Sequence, residues 1–352
     1  MAEMTPRERW LGILNRQAVD RVPVDYSGTP EVTARLLKDL GCGGVEELWR
    51  KLRIDKPQWF GARYLKQPEC AARGTDMWGI RYTTIHYGTG AYGEATGHPL
   101  AEMERVEEIE AYAWPRAEDF DWSQAAERVV GLDDYRLRQA GTYEPFLLYC
   151  SLRGMEQAFE DLLLNPEIVE SILRQIFDFY YEYNRRLFEA GRGKIDLTYV
   201  AEDLAGQTGP LFGLETYRKY LMPRQKQMAD LAKSFGIHVF YHTDGAARVF
   251  LPDLVDVVGI EVLNPLQWRC PGMELAGLVR DFGGRIAFHG GIDNQQTLPF
   301  GSVEDVVREV EEVAAIMRGS RWICSPCHNI QPVTPTANIV AMYETIQRVG
   351  II

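Results

Sequence analysis

The second half of the chain alternates short apolar runs with amphipathic helical patterns, and this alternation limits the possible folds. The apolar runs cover residues 145–150, 195–203, 237–242, 257–264, 285–291 and 321–325. Helical spacing covers residues 166–189, 214–235, 303–317 and 337–349. Apolar strands that alternate with helices are typical of a parallel sheet covered on both faces. With a strand at Val22 and one further strand upstream of residue 145, the pattern predicts an α/β fold, a (β/α)8 TIM barrel.

The N-terminal region is predicted to elaborate this barrel. Residues 5–15 and 32–40 have helical spacing, and residues 76–97 have the pattern of a β-hairpin. The hairpin contains "GTGAYG", a formal G-x-G-x-x-G, but Gly97 and Pro99 prevent the helix that a dinucleotide site would need next. We therefore predict a single barrel domain over residues 1–352, in which residues 1–125 supply helices and a hairpin insertion.

Composition excludes several classes of partner. The formal net charge is −12, and the chain has no long basic run, which argues against nucleic acid or an anionic membrane as a partner. No apolar run approaches the ~20 residues that span a bilayer, and the opening "MAEMTPRERW" lacks the apolar core of a secretory signal. Six cysteines, four widely spaced and two in one close pair, do not suggest a disulfide framework. We expect a cytoplasmic protein, with a homodimer as one possible state.

Polar side chains gather where the predicted strands end. Because the carboxyl ends of all barrel strands open at one mouth, where active sites of this fold lie, these side chains are expected to share a site. The segments are Glu202–Asp203, His242–Gly245, Asn264–Gln267, His289–Asp293 and Cys324–His328.

Three of these residues have the chemistry of a metal site. His242 and Asp244 are two residues apart at one strand end, so both can face the same way, and His328 reaches the mouth from the last strand. Two imidazoles and a carboxylate suit zinc or iron, and a thiolate from Cys327 would favour zinc further. The alternative is a polar pocket without metal.

The stretch "CSPCH" also matches the C-x-x-C-H pattern of covalent haem attachment and the C-x-x-C pattern of redox pairs. Haem attachment is disfavoured because no export signal is visible. Redox exchange is disfavoured because a Pro-rich loop follows the pair, where a redox pair is expected at a helix N-terminus.

The other strand-end residues are candidates for substrate contact. Successive strand residues point to opposite faces, so one of Glu202 and Asp203 enters the pocket, and Asp203 is the preferred choice as a proton carrier. We expect Glu202, Asn264, Gln267 and His289 to contribute to substrate binding.

Several of these segments resemble the uroporphyrinogen decarboxylase superfamily, which includes cobalamin-dependent methyltransferases. The resemblance runs along nearly the whole chain and is most specific in "ICSPCHNIQPVTPTANIVAMYE". It implies a (β/α)8 barrel. True decarboxylases carry an arginine clamp after the first strand, whereas the corresponding stretch here, "DYSGTPEVTARLL", contains only Arg35. The chain is therefore more similar to the methyltransferase branch.

The zinc motif of that branch is His-x-Cys followed later by a second Cys. The resemblance puts His242 at the first position, Asp244 in place of the first cysteine, and His328, with Cys327 beside it, at the second. It implies zinc bound by His242, Asp244 and either His328 or Cys327. Asp203 and His328 would be catalytic.

The implied reaction moves a methyl group between a small-molecule donor and a corrinoid protein, a partner that carries cobalamin. Tyr26, Trp78 and Tyr199 could line a pocket for an aryl methyl ether, so O-demethylation is the favoured reaction. One alternative is a metal-free decarboxylase or lyase that acts on a smaller acid. The other is a barrel without catalysis that binds a corrinoid or tetrapyrrole.

Overall fold

A curled parallel sheet surrounded by helices forms the computed structural model, which describes residues 3–350. The strands are β1 (Gln58–Phe60), β2 (Arg63–Tyr64), β3 (Arg81–His86), β4 (Ala91–Gly97), β5 (Phe120–Asp121), β6 (Arg138–Tyr143), β7 (Leu197–Ala201), β8 (His238–His242), β9 (Val262–Asn264), β10 (Ala287–Ile292) and β11 (Trp322–Pro326). The barrel sheet has the order β1-β6-β7-β8-β9-β10-β11, with all its pairs parallel.

Helices lie between these strands, as a parallel sheet requires for its crossover connections. They are α1 (Pro6–Leu14), α2 (Pro30–Asp39), α3 (Val45–Lys51), α4 (Gln67–Arg73), α5 (Val106–Glu110), α6 (Trp122–Arg128), α7 (Pro145–Arg153), α8 (Met155–Leu164), α9 (Pro166–Gly191), α10 (Leu214–Tyr220), α11 (Met222–Ser234), α12 (Leu251–Asp253), α13 (Leu275–Phe282), α14 (Thr297–Phe300), α15 (Val303–Met317) and α16 (Thr336–Val349). Among residues 3–350, no helix is both long and apolar enough to cross a membrane.

The barrel wall consists of eight extended segments, which we call staves: the seven strands of the sheet and the segment around Val24. Val24 forms a parallel bridge with Cys324 of β11. On its other side, the backbone N–H of Asp55 donates to the Val24 carbonyl at 2.7 Å, three residues before β1 begins at Gln58. The ring therefore closes between the last and the first strands of the sheet, and the predicted (β/α)8 barrel is confirmed.

One predicted strand is wrong. Residues 145–150 belong to α7, and the stave at this place is β6 (Arg138–Tyr143). Pro145 occupies the first helical position, where its missing N–H costs nothing. A short apolar run is equally consistent with a buried strand and a buried helix, so periodicity alone could not separate them.

Other boundaries shift in smaller ways. The run at 257–264 contributes only β9, because Leu254–Val258 forms a π-helical turn that ends at Gly259 in the left-handed region, with φ 78°. The helix predicted over 214–235 is split into α10 and α11 at Leu221. The predicted hairpin is present as the antiparallel pair β3 and β4.

An apolar cluster closes the amino-terminal end of the barrel, and we refer to it as the apolar floor. Helix α1 packs against the barrel interior there, so that apolar side chains from α1 and from five staves meet. The floor consists of Trp10, Ile13, Leu14, Val19, Leu137, Leu197, Phe240, Val262, Ala287 and Ile323, and all of these residues are buried.

Candidate metal and active site

Strand alternation carries polar side chains above the apolar floor. His242 lies two residues beyond Phe240, Asn264 two beyond Val262, and His289 two beyond Ala287. Because a period of two keeps side chains on one face of a strand, these three polar groups share the inner face with the floor residues. His242 and Asn264 are also direct register partners on neighbouring strands. The polar layer therefore sits at the mouth of the barrel.

His242, Asp244 and His328 converge at this mouth. One ligand atom from each lies within 4.8 Å of the others. His242 Nε2 is 3.8 Å from Asp244 Oδ1, and His328 Nε2 is 3.7 Å from Asp244 Oδ2. The two imidazole centroids are 6.1 Å apart. The carboxylate thus lies between the two rings, with all three side chains half-buried, an arrangement that can accept one cation.

Asn264 fixes the orientation of His242. The Asn264 Oδ1 atom lies 2.6 Å from His242 Nδ1, and an amide oxygen can only accept, so Nδ1 carries the proton. Nε2 is then the unprotonated nitrogen, and it is the atom that faces Asp244. A histidine ligand needs this tautomer to offer a lone pair to a metal.

The contact to Asn264 continues into a buried chain of polar groups. Asn264 Nδ2 lies 2.7 Å from His289 Nδ1, and His289 Nε2 lies 3.1 Å from Asp25 Oδ2. Asp25 also pairs with Lys56 at 3.2 Å. One assignment of protons satisfies every link, with His289 donating to an ionised Asp25. Burial alone would raise the pKa of Asp25, but Lys56 and His289 outweigh it and lower the pKa to about 2.

Burial of the Asp244 carboxylate is electrostatically unfavourable when no cation is bound to it. Its Oδ1 atom is buried and has no hydrogen-bond partner within residues 3–350. Burial raises the pKa of its carboxyl, although His242 and His328 act in the opposite direction. A buried oxygen without a donor is costly, and a metal ion bound by the three side chains would satisfy it.

Asp203 and Glu202 point in opposite directions, as strand alternation requires. Asp203 Oδ1 is 3.8 Å from His242 Nε2 and accepts the backbone N–H of Asp244 at 3.2 Å. Glu202 is buried and accepts the backbone N–H groups of Phe146 and Leu147 at 2.5 and 3.1 Å, at the start of α7. Asp203 therefore belongs to the mouth, and Glu202 caps a helix.

Glu144 is a further acidic residue near the site, and sequence reasoning missed it. It follows β6 directly, and the β6–β7–β8 register sets it two strands from His242, with the small Ala201 between them. Burial raises the pKa of the Glu144 carboxyl, and although His242 acts in the opposite direction, Asp203 and Asp244 add to the effect of burial. The misassigned strand at 145–150 hid this residue, because its true position is a strand end.

A pocket of about 440 Å³ opens beside Asp244 and His328. Gln267 lines it, and the Gln267 Oε1 atom accepts the backbone N–H of Gly245 at 2.6 Å, so this amide is anchored beside the metal residues. Asp293 directly follows β10, accepts three backbone N–H groups of residues 295–297 and pairs with Arg269. It is a turn-capping residue.

Two of the predicted ligands and pocket residues lie elsewhere. Cys327 is buried, its thiol donates to the Leu266 carbonyl at 3.0 Å, and burial raises its pKa well above the usual range, so it does not join His328. Tyr26 packs on Trp49 and bonds Thr33.

The remaining two predicted aromatics differ in position. Trp78 is buried among Trp114, Phe179 and Tyr180. Tyr199 alone lies near the metal residues, with its ring centroid 5.9 Å from that of His242.

Comparison with known proteins points to one family. Residues 95–349 match the family model described as uroporphyrinogen decarboxylase (URO-D). Methylcobamide:CoM methyltransferase MtbA of Methanosarcina acetivorans is 24% identical, and the alignment covers 98% of both chains. MtbA of Methanosarcina mazei matches with the same identity and coverage. A uroporphyrinogen decarboxylase of Synechococcus sp. is 25% identical over 52% of this chain and 49% of its own.

A solved structure described as a methyltransferase from Methanosarcina mazei has the same fold. The TM-score is 0.70 at 19% identity, with 98% of this chain and 99% of the other covered. The similarity extends over the whole barrel and its N-terminal elaboration.

Proposed function

We propose a methyl-transfer function for this chain, which belongs to the uroporphyrinogen decarboxylase (URO-D) family. The reaction moves a methyl group between a small substrate and a corrinoid protein. The MtbA relatives, named as methylcobamide:CoM methyltransferases, support it because they align along 98% of both chains. The observation that carries the proposal is the convergence of His242, Asp244 and His328 at the barrel mouth.

These three residues fit a zinc ion. Their ligand atoms lie within 4.8 Å of one another, the buried Asp244 Oδ1 lacks a partner among the described residues, and His242 presents Nε2 in the ligating tautomer. Zinc, when bound, acts as a Lewis acid that stabilises negative charge on a substrate oxygen or sulfur. Asn264 and His289 hold His242 in place from behind.

The favoured substrate is an aryl methyl ether. Asp244 and His328 stand where the methyltransferase motif has cysteines, and a ligand set without thiolates suits an oxygen substrate better than a thiol. Loss of the methyl group leaves an aryl oxygen that must gain a proton. Asp203, 3.8 Å from His242 Nε2, is placed to hold or deliver that proton.

Decarboxylation of a polycarboxylate is less well supported. Arg35 is the basic residue of the stretch that resembles the decarboxylase clamp, and it donates to the backbone carbonyls of Pro332 and Thr334. Its guanidinium is therefore occupied by main-chain oxygens at the loop after β11. A substrate with several carboxylates would lack the positive charge it needs.

The test uses the purified full chain supplied with zinc, cob(I)alamin as methyl acceptor and a methoxyphenol as donor. We expect methylcobalamin to form, and the His242→Ala variant to form none. Methanethiol and methanol serve as alternative donors. Transfer from thiols alone would overturn the ether assignment. An absence of transfer from every donor, together with an absence of stoichiometric zinc, would overturn the proposed function and favour a metal-free lyase or a binding protein.

A further inference from the structure

We infer that the pocket beside the candidate metal site takes an uncharged substrate, which it binds through amide side chains. This inference rests on the proposed function and specifies its substrate class. It separates this chain from an enzyme whose small substrate carries a sulfonate, carboxylate or phosphate.

Amide groups dominate the polar part of the pocket wall. Five of them surround the cavity of about 440 Å³: Gln207, Gln267, Asn294, Gln295 and Gln331. The apolar part of the wall comes from Pro299, Phe300 and Val333. Such a wall offers neutral donors and acceptors around an apolar surface, which matches a small molecule with hydroxyl, ether or amide groups.

Asn294 contributes to this wall a buried hydrogen-bond acceptor that has no donor. The residue is 8% exposed, and its Oδ1 atom is buried without a hydrogen-bond partner among residues 3–350. Its Nδ2 atom donates to the Asn329 carbonyl at 3.2 Å, which fixes the amide so that Oδ1 is the free atom. A buried acceptor of this kind is costly unless a ligand donates to it. We therefore expect the substrate to present an O–H or N–H group to Asn294.

The charges around the pocket are unfavourable for an anion. Asp244 lines it, and Asp203 lies at the same mouth, 3.8 Å from His242. Glu144 follows β6 at the same end of the barrel, and the strand register places it two strands from His242. Like charges at short range in a partly buried site repel strongly.

No lysine or arginine compensates for these carboxylates among the described residues that line the pocket. The arginine that follows Gln267 most closely, Arg269, is already paired with Asp293 at 2.8 Å and with Glu309 at 3.3 Å. An anionic substrate group would therefore enter without a cationic partner other than the metal site itself.

Two matched pairs of small molecules test the inference by calorimetric titration of the zinc-supplied full chain. The first pair is 2-mercaptoethanol and 2-mercaptoethanesulfonate. The second pair is 4-hydroxy-3-methoxybenzyl alcohol and 4-hydroxy-3-methoxybenzoate. In each pair the reactive group is the same and only the remote charge differs. We expect the neutral member of at least one pair to bind about tenfold more tightly than its anionic counterpart. In neither pair should the anion bind more tightly than the neutral compound.

Two substitutions of equal charge locate the effect. Gln295 is exposed at the pocket, and we expect Gln295→Arg to strengthen binding of the anions several-fold. Gln227 is exposed on α11, outside the pocket wall, and Gln227→Arg should leave the preference unchanged. Equal or tighter binding of the anions by the unmodified chain overturns the inference, as does binding of none of the four compounds at millimolar concentration. Selective binding of neutral compounds without methyl transfer supports the inference and counts against the proposed function.

Discussion

His242 and Asn264 are joined by a 2.6 Å contact between the ring Nδ1 and the amide Oδ1, so a neutral amide determines which imidazole nitrogen faces the mouth. The same amide reaches His289, and His289 reaches Asp25. The orientation of one candidate ligand thus depends on residues from three other staves of the barrel.

Removing the Asn264 amide should weaken metal binding. Asn264→Ala leaves His242 Nδ1 without its acceptor, so the imidazole loses its fixed tautomer, and we expect zinc affinity to fall about 10- to 100-fold. Asn264→Asp keeps an acceptor for His242 and should lose less. Competition with a chromophoric chelator measures both. Equal affinity in the wild type and Asn264→Ala would show that the contact has no influence on the metal.

Cys327 and His328 separate two possible ligand sets. His328→Ala should lower zinc affinity at least as much as Asn264→Ala does, because it removes a ligand. Cys327→Ser should leave zinc affinity unchanged, because the hydroxyl can still donate to the Leu266 carbonyl that the thiol contacts. Cobalt substitution provides a second readout. A thiolate-to-cobalt absorption band that disappears in Cys327→Ser would assign the third ligand to the thiol.

Asp25 should make stability depend on pH in an acidic window. Its pKa is lowered from 3.8 to about 2 in the folded chain, so its stabilising effect is complete above about pH 4 and disappears as pH falls through 2. At about 1.4 kcal/mol for each unit, Asp25→Asn should cost about 2 kcal/mol at neutral pH.

Urea denaturation at several pH values checks this prediction. The difference between the wild type and Asp25→Asn should shrink as pH falls from about 4 toward 2. Asp178→Asn, at an exposed position of α9, serves as the control and should change little at any pH. A constant difference across the acidic range would contradict the assignment of an ionised Asp25.

We expect Glu144 to lower the stability of the folded chain at neutral pH while contributing to the methyl-transfer reaction. A carboxyl whose folded pKa is raised destabilises the protein as pH rises from the unfolded pKa through the folded one. Glu144→Gln should therefore increase the free energy of unfolding at pH 7, and the gain should vanish at low pH. If the carboxylate carries a proton in the reaction, the same variant loses about 100-fold in methyl-transfer rate, while zinc affinity stays as in the wild type. Unchanged rate with increased stability would assign Glu144 a purely electrostatic role.

Sequence reasoning identified the barrel and the residues of its mouth because strand polarity is readable from local patterns. His242, Asp244 and His328 each follow a recognisable apolar strand, and parallel packing brings such ends together. Alternation also predicted that one of Glu202 and Asp203 faces the mouth, with Asp203 the preferred choice, whereas the expected substrate contact of Glu202 is replaced by its bonds to the start of α7. These features depend on short segments, which a single sequence displays directly.

The features that were missed depend on register or on distant contacts. Glu144 was invisible because Pro145 starts a helix inside an apolar run, so the strand end was assigned to the wrong place. Asp25 and His289 are 264 residues apart, and nothing local in either segment predicts their contact. Cys327 precedes His328 in the chain, yet its thiol turns toward Leu266. Two residues that are adjacent in sequence therefore need not belong to the same site, because successive side chains can point in different directions.

The apolar floor closes the amino-terminal end of the barrel, so that the interior opens only at the mouth. Trp10 of α1 and Phe240 of β8 block passage from below, so anything that reacts at His242 must arrive and depart through the rim. A bulky corrinoid carrier seated there would cover that exit. A small reactant would then have to enter before the carrier arrives and wait for it to leave, which predicts a compulsory order of binding and release.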